Sequence, residues 1–417
     1  MYLLNVRGKY RHIPSPRMAS FWLGHFPEIE RERTKGLGDN PTDELFLKWA
    51  SEVGTLYVLH FLWMPVIIAL DPSDVEAVHM TPHHKKVKLI TDNSGYVFGE
   101  RFLGDGLFTI RDYETWKPRR KMYDPAFNRG YLKTLVPMFE KCVNKLLDQL
   151  RPLADGRTEV PMKKHLSDAA TDVISKVAFA SDFSDVCQIK LAGLRNITVV
   201  EGKVDSLIQY VFVGVQKSLN NPLYKYFHPY EAEGYREAIR ALRSIGRECI
   251  QMRIKALDNG EEVPNDILTC ILKVASADET AHIETLVDDF LTFYVAGQET
   301  TANTLSFAVI LVHQHPEVLK RLLAEIDEVL GSRTSVTAED LEKLKYTEQT
   351  LVGPMCQLPQ YFDNPSTFNP SRFDPENKRP SPFVFYPFGV GHRACIGRHF
   401  AMVCDRVGEG VRHALRI

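Results

Sequence analysis

The chain has 417 residues, 44% hydrophobic and 25% charged, the proportions of a globular protein with room for one large domain or two or three smaller ones. Fifty-one basic residues against 53 acidic ones leave a net charge of −2, which argues against a nucleic-acid partner, whose basic footprint should show in the sum. With 24 Pro and 25 Gly it is neither disordered nor fibrous, and seven scattered cysteines without a CxxC pair exclude a disulfide scaffold and a structural zinc site.

At the N-terminus Met1–Val6 is apolar but far too short for a signal or an anchor. Arg7, Lys9, Arg11 and Arg17 surround Pro14 and Pro16, so residues 1–20 read as a basic, proline-containing hinge or a solvated basic terminus. Tyr57 to Leu70 is the longest apolar stretch without Asp, Glu, Lys or Arg; it is too short to span a membrane and reads as strand, turn, strand. Asp71-Pro72 opens a capped helix, and Tyr131–Leu150 and Tyr235–Ala256 carry apolar residues at a helical period. A long apolar helix is expected over Thr285–Val312, another from Pro316 to Leu330, and a short one behind a capping box at Thr337–Asp340. Gly353–Pro387 is proline-rich with no convincing helix or strand. The expected class is mainly α with a small β-sheet.

The most specific segment is Phe388-Gly389-Val390-Gly391-His392-Arg393-Ala394-Cys395-Ile396-Gly397. Its glycines let the backbone turn sharply and approach a bulky flat ligand, and a cysteine ahead of a helix gains from the local dipole, which favours the thiolate. A thiolate with Arg393 nearby suits an iron porphyrin, sulfur on the metal and guanidinium on a propionate. Inside the long helix, Ala296-Gly297-Gln298-Glu299-Thr300-Thr301 contradicts local propensity, and such violations tend to mark functional sites. Its small residues suggest a groove for dioxygen, its hydroxyl and carboxylate a proton relay; the plainer reading is hydroxyls bonded back to the preceding turn. Trp116 and Arg120, four apart, share a helical face and can reach one ligand.

Together the FxxGxRxCxG loop, the AGxETT run, the WxxxR pair and the Phe368–Phe373 FxPxRF segment resemble the cytochrome P-450 monooxygenases. The resemblance implies that family's fold, with residues 21–417 forming a single haem-thiolate monooxygenase domain. It makes Cys395 the proximal ligand of the haem iron, its thiolate favouring O–O cleavage. Arg393, Trp116 and Arg120 take the propionates, Phe388, Gly391 and Gly397 shape the loop, His392 is structural, and Thr300 and Glu299 relay protons. It also implies a small apolar substrate, NADPH-derived electrons through a reductase such as NADPH–cytochrome P-450 reductase, and a membrane surface, the cytosolic face of the endoplasmic reticulum. Lys117, Arg119 and Lys121 are candidates for reductase docking. Segments including Arg11–Pro14, Phe98–Arg101 and Val263–Thr269 resemble the sterol side-chain hydroxylases of the family.

Three departures qualify this. The family's anchor helix does not precede Arg7, and its terminal strands are missing after Cys395. The ExxR motif expected between Leu344 and Phe368 is also missing, as though residues had been skipped near 350–356. ExxR matches at Glu233–Arg236, Glu237–Arg240 and Glu409–Arg412 lie outside that interval. Without its ExxR partners Arg372 is expected to turn to water and its connection to loosen. The competing expectation is therefore a truncated chain defective in haem binding.

Overall fold

The computed structural model describes residues 2–35, 41–81, 86, 88–180, 204–220, 223–275, 283–333, 335–352, 361–365, 367–377 and 380–410. The chain divides into two compact units, Met1–Pro82 with Pro380–Ala394, and His83–Arg379 with Cys395–Ile417.

In the first unit helices α1 (Tyr2–Tyr10), α2 (Phe26–Lys35) and α3 (Pro41–Val53) precede a hairpin of β1 (Leu56–Phe61) and β2 (Met64–Ala69), and α4 (Pro72–Met80) follows it. The strands pair antiparallel with Leu59 opposite Val66 and His60 opposite Pro65, as the apolar run suggested. Leu45 and Trp49 of α3 pack on Tyr57 and Leu59 of β1 to form this unit's core. The Asp71 carboxylate accepts from the Ser73 amide at 2.9 Å and caps α4, whose first residue is Pro72, a position where its missing N–H costs nothing. The basic terminus is not simply solvated. Arg7 is buried with its cation 5.4 Å from the Phe21 ring, and the Pro14 carbonyl accepts from the Val58 amide at 2.8 Å.

The second unit is helical, with one further small hairpin of β3 (Tyr96–Val97) and β4 (Glu100–Arg101). Its helices are α5 (Lys88–Gly95), α6 (Tyr113–Tyr123), α7 (Arg129–Thr134), α8 (Val136–Leu150), α9 (Met162–Val173), α10 (Val204–Asn220), α11 (Tyr224–Phe227), α12 (Pro229–Asp258) and α13 (Ile267–Ala275). After them come α14 (Ile283–Gln314), α15 (Pro316–Leu330), α16 (Ala338–Lys343), α17 (Lys345–Val352) and α18 (Arg398–Gly410). The 32 residues of α14 run about 48 Å through this unit and pack against α9, α12, α15, α17 and α18. The helix expected over Tyr131–Leu150 is two helices: Leu135 ends the first, and Pro137, which cannot donate to a preceding turn, sits in the first turn of the second. Its apolar face is buried as the period required, with Phe139 lying 5.0 Å from Phe400 of α18. In α15 Val318, Leu322, Ile326 and Leu330 repeat every four residues on the buried face, and Gly331 with φ +59° ends the helix. Thr337 and Asp340 close the capping box in both directions.

Residues 353–360 of the proline-rich connection lie outside the described residues. Among its described residues the one regular element is a 3₁₀ turn, Pro370–Phe373. Arg372 does not turn to water. Its guanidinium donates to the carbonyls of Asp363 (3.1 Å), Asn364 (3.3 Å) and Thr367 (3.0 Å), neutral acceptors in place of a carboxylate.

Candidate active site

The boundary between the two units falls inside the cysteine loop, after Ala394. Phe388, Gly391 and Arg393 lie in the first, where Gly389 and Gly391 take φ of +70° and +74°, the turns that three closely spaced glycines suggested. The bare Cα of Gly391 admits the backbone carbonyl of His79, so its close approach is to α4 of the same unit. His392 is exposed.

Cys395 and Gly397 lie in the second unit, immediately before α18. Cys395 is the exposed cysteine among the five described, while Cys142, Cys249 and Cys404 are buried. The protein around it nevertheless desolvates the thiol and pushes its pKa up, against the downward pull of the Gly397 amide and the Arg120 charge. The dipole argument thus had the right sign but not the larger magnitude. In the free protein desolvation holds the proton on sulfur, and a coordinating metal ion removes it.

Arg120 and Trp116 come from α6, which starts at an Asp112 cap accepting from the Thr115 amide at 3.0 Å. Trp116 is 5% exposed and its ring lies 5.7 Å from that of Tyr113. Arg120 Nε donates to Asp124 at 2.9 Å. Arg119, a candidate for the docking surface, points inward to an ion pair with Asp289, which leaves Lys117 and Lys121 as the exposed bases of this helix.

The AGQETT run is divided among the faces of α14. Ala296 and Thr300, four apart, are exposed within an otherwise largely buried stretch. Gly297 opens no groove there, because the side chain of Ile174 fills the space a Cβ would need. The Thr300 hydroxyl donates to the Ala296 carbonyl at 2.7 Å, the back-bonded geometry, and keeps its lone pairs free to accept. Glu299 accepts from Gln209 Nε2 of α10 at 2.6 Å and from Asn303 Nδ2 at 3.1 Å. No hydrogen bond joins Thr300 to Glu299 among the described residues.

The donor set fits an iron porphyrin: a sulfur ligand on an exposed loop, a guanidinium whose charge reaches that sulfur, an indole on the same helix, and a helix face bare at Ala296 and Thr300. Among the described residues no cluster of three or more His, Cys, Asp or Glu could hold a metal by itself.

The sequence profile of the cytochrome P450 family matches residues 14–352 and 350–404, and the chain belongs to that family. It is therefore a haem-thiolate monooxygenase by kinship, with the mainly helical fold and small sheets described above. Cytochrome P450 4d2 of Drosophila melanogaster is 25% identical over 444 aligned positions, covering 94% of this chain and 85% of the relative. The chloroplastic carotene epsilon-monooxygenase of Arabidopsis thaliana is 26% identical, covering 85% and 73%. Cytochrome P450 4F12 of Homo sapiens is 25% identical, covering 93% and 81%. Family membership carries a small hydrophobic substrate and an electron-donating partner. No described helix is long and apolar enough to cross a membrane.

The residues that sequence reasoning missed are Asp288 and Asp289 of α14, both fully buried and each tied to arginines from distant segments. Their signal was present, as two adjacent charges inside an apolar helical run.

Proposed function

We propose that this chain hydroxylates an apolar C–H bond of a sterol side chain, in the manner of cholesterol 24-hydroxylase. The observation that carries the haem-thiolate site is the complete cysteine loop, Phe388 to Gly397, with its sulfur exposed ahead of α18. Cys395 is the iron ligand; Arg393, Trp116 and Arg120 hold the propionates; Phe388, Gly391 and Gly397 shape the loop. When bound, the haem supplies the oxygen chemistry, its thiolate favouring O–O cleavage. Thr300 offers a hydroxyl on the bare face of α14, and Glu299, held by Gln209 and Asn303, is the proton source behind it. The sterol assignment rests on the segments that resemble the sterol side-chain hydroxylases. A relative named for carotene, another apolar isoprenoid, agrees with an apolar substrate. Electrons come from an NADPH-dependent reductase.

The place of work is the cytosolic face of the endoplasmic reticulum membrane. Supporting a membrane surface, the first unit exposes Phe21 and Trp22 and, at its hairpin tip, Leu62 and Trp63, near the basic terminus. Aromatic side chains beside basic ones suit a lipid interface. We also read residues 1–20 as the hinge and 21–417 as the monooxygenase domain with a deletion near 350–356. The two profile matches meet at 350–352, and an alignment of 444 positions exceeds the 417 residues of this chain, so the relative holds residues that this chain does not.

That deletion favours a second reading, a member of the family that retains haem poorly. The optical spectrum of the reduced protein under carbon monoxide separates the two. A red-shifted thiolate-type Soret band that Cys395→Ala removes and Cys404→Ala preserves supports the enzyme. No haem absorbance supports the second reading, and a band that depends on Cys404 overturns the loop assignment.

A further inference from the structure

Asp288 and Asp289 belong to none of the motifs above, yet they gather the segments on which those motifs stand. Asp288 accepts from Arg101 Nε (3.1 Å) and Nη2 (2.6 Å), from Arg243 Nη1 (2.7 Å) and from the Asp105 amide (2.9 Å). Asp289 accepts from the Leu107 amide at 2.6 Å, from the Arg119 guanidinium and from the Tyr123 hydroxyl. Arg119 also donates to the carbonyls of Asp105 (2.5 Å) and Thr285 (3.2 Å). The loop between β4 and α6 is thereby pinned to α14 at two amides, and a side chain at Gly104 would strike the Asp288 carboxylate.

We propose that Asp289, supported by Asp288, is a positioning residue of the active site: it sets the rotation of α6 about its own axis. In an α-helix one residue turns the chain by about 100°, and residues four apart share a face. Arg119 and Tyr123 form one such pair and Trp116 and Arg120 the next. Asp289 grips the first pair, and because the helix is rigid this fixes the direction in which the second pair points. Because Asp289 is 1% exposed, its loss strands a half-buried guanidinium and a buried phenol, the phenol out of reach of water. The catalytic consequence rests on assigning Trp116 and Arg120 to the haem; the fastening does not.

The test therefore needs no haem. In a chain carrying Trp22→Phe, Trp49→Phe and Trp63→Phe, fluorescence reports on Trp116 alone. With Asp289→Asn, helicity by circular dichroism is retained, while the acrylamide quenching constant of Trp116 rises toward that of an exposed indole. Tyr123→Phe, which removes one of the two grips, gives an intermediate rise. Leu147→Ala, a core truncation on another helix, lowers the melting temperature and leaves quenching unchanged. A folded Asp289→Asn protein with parental quenching overturns the proposal. So does an equal rise with Leu147→Ala or, should Asp289→Asn not fold, parental quenching in Tyr123→Phe. If Trp116 becomes exposed while haem absorbance is unaffected, the fastening stands and the haem roles of Trp116 and Arg120 fall.

Discussion

A Cβ on Gly297 would lie 2.9 Å from Cδ1 of Ile174, so the glycine of the oxygen motif serves the crossing of two helices. Ile174 is 3% exposed and opens the π-helical turn that continues α9. Two effects oppose each other in Gly297→Ala. Helix propensity favours alanine by about 1 kcal/mol, whereas overpacking a filled core costs about 1–3 kcal/mol. The overpacking should win, with a net loss of about 1 kcal/mol. Ile174→Val deletes the colliding methyl, so its cost, about 0.5–1.5 kcal/mol alone, should vanish or reverse beside Gly297→Ala. Additive losses in urea unfolding would show that the two residues do not meet.

Thr300→Ala removes a hydroxyl that donates only to the preceding turn, so stability should change by less than about 0.5 kcal/mol. Under the proposed function the same change diverts reducing equivalents from product to peroxide. Product formed per NADPH consumed is the measurement, and an unchanged ratio removes Thr300 from proton delivery.

Asp405 of α18 is 3% exposed, and its Oδ1 has no hydrogen-bond partner among the described residues. Burial pushes its carboxyl up to about 8, against the weaker pull of Arg406. Below about pH 4 this group is neutral in both the folded and unfolded states. As the pH rises from there to about 8 the unfolded chain ionises first, so stability is lost across that window and the penalty is complete above it. Asp405→Asn should flatten the dependence and raise stability at pH 8 by on the order of 1–3 kcal/mol. Melting temperatures at pH 5 and pH 8 check this; an undiminished slope in the variant points to another group.

Arg372 holds the three carbonyls with both terminal nitrogens of its planar fork, a geometry that lysine cannot copy. Arg372→Ala and Arg372→Lys should both speed amide hydrogen exchange across residues 363–374, by about tenfold for a loss near 1.4 kcal/mol. Parental exchange in Arg372→Lys would mean that charge, not the fork, organises the connection.

What could be read from the chain was governed by near neighbours. The Asp71 and Thr337 caps, the 56–69 hairpin and the glycine turns at 389 and 391 each depend on a few adjacent residues, and the sequence contained them. The break at Leu135 is equally local, set by Pro137, but the apolar period runs through it and conceals it. Cys395 stood out because its loop is contiguous. Other features required the folded chain. Helical period puts Ala296 and Thr300 on one face of α14 and Gly297 and Glu299 on others, but only packing against α9 and α10 decides which of them meets Ile174, which meets Gln209 and which stays bare. Arg119 read as a surface base and Asp289 went unnoticed because the two lie 170 residues apart and explain each other only in contact. A buried charge is tolerable only beside its partner, so the spatial meeting of distant residues, which no local pattern encodes, settled the role of both.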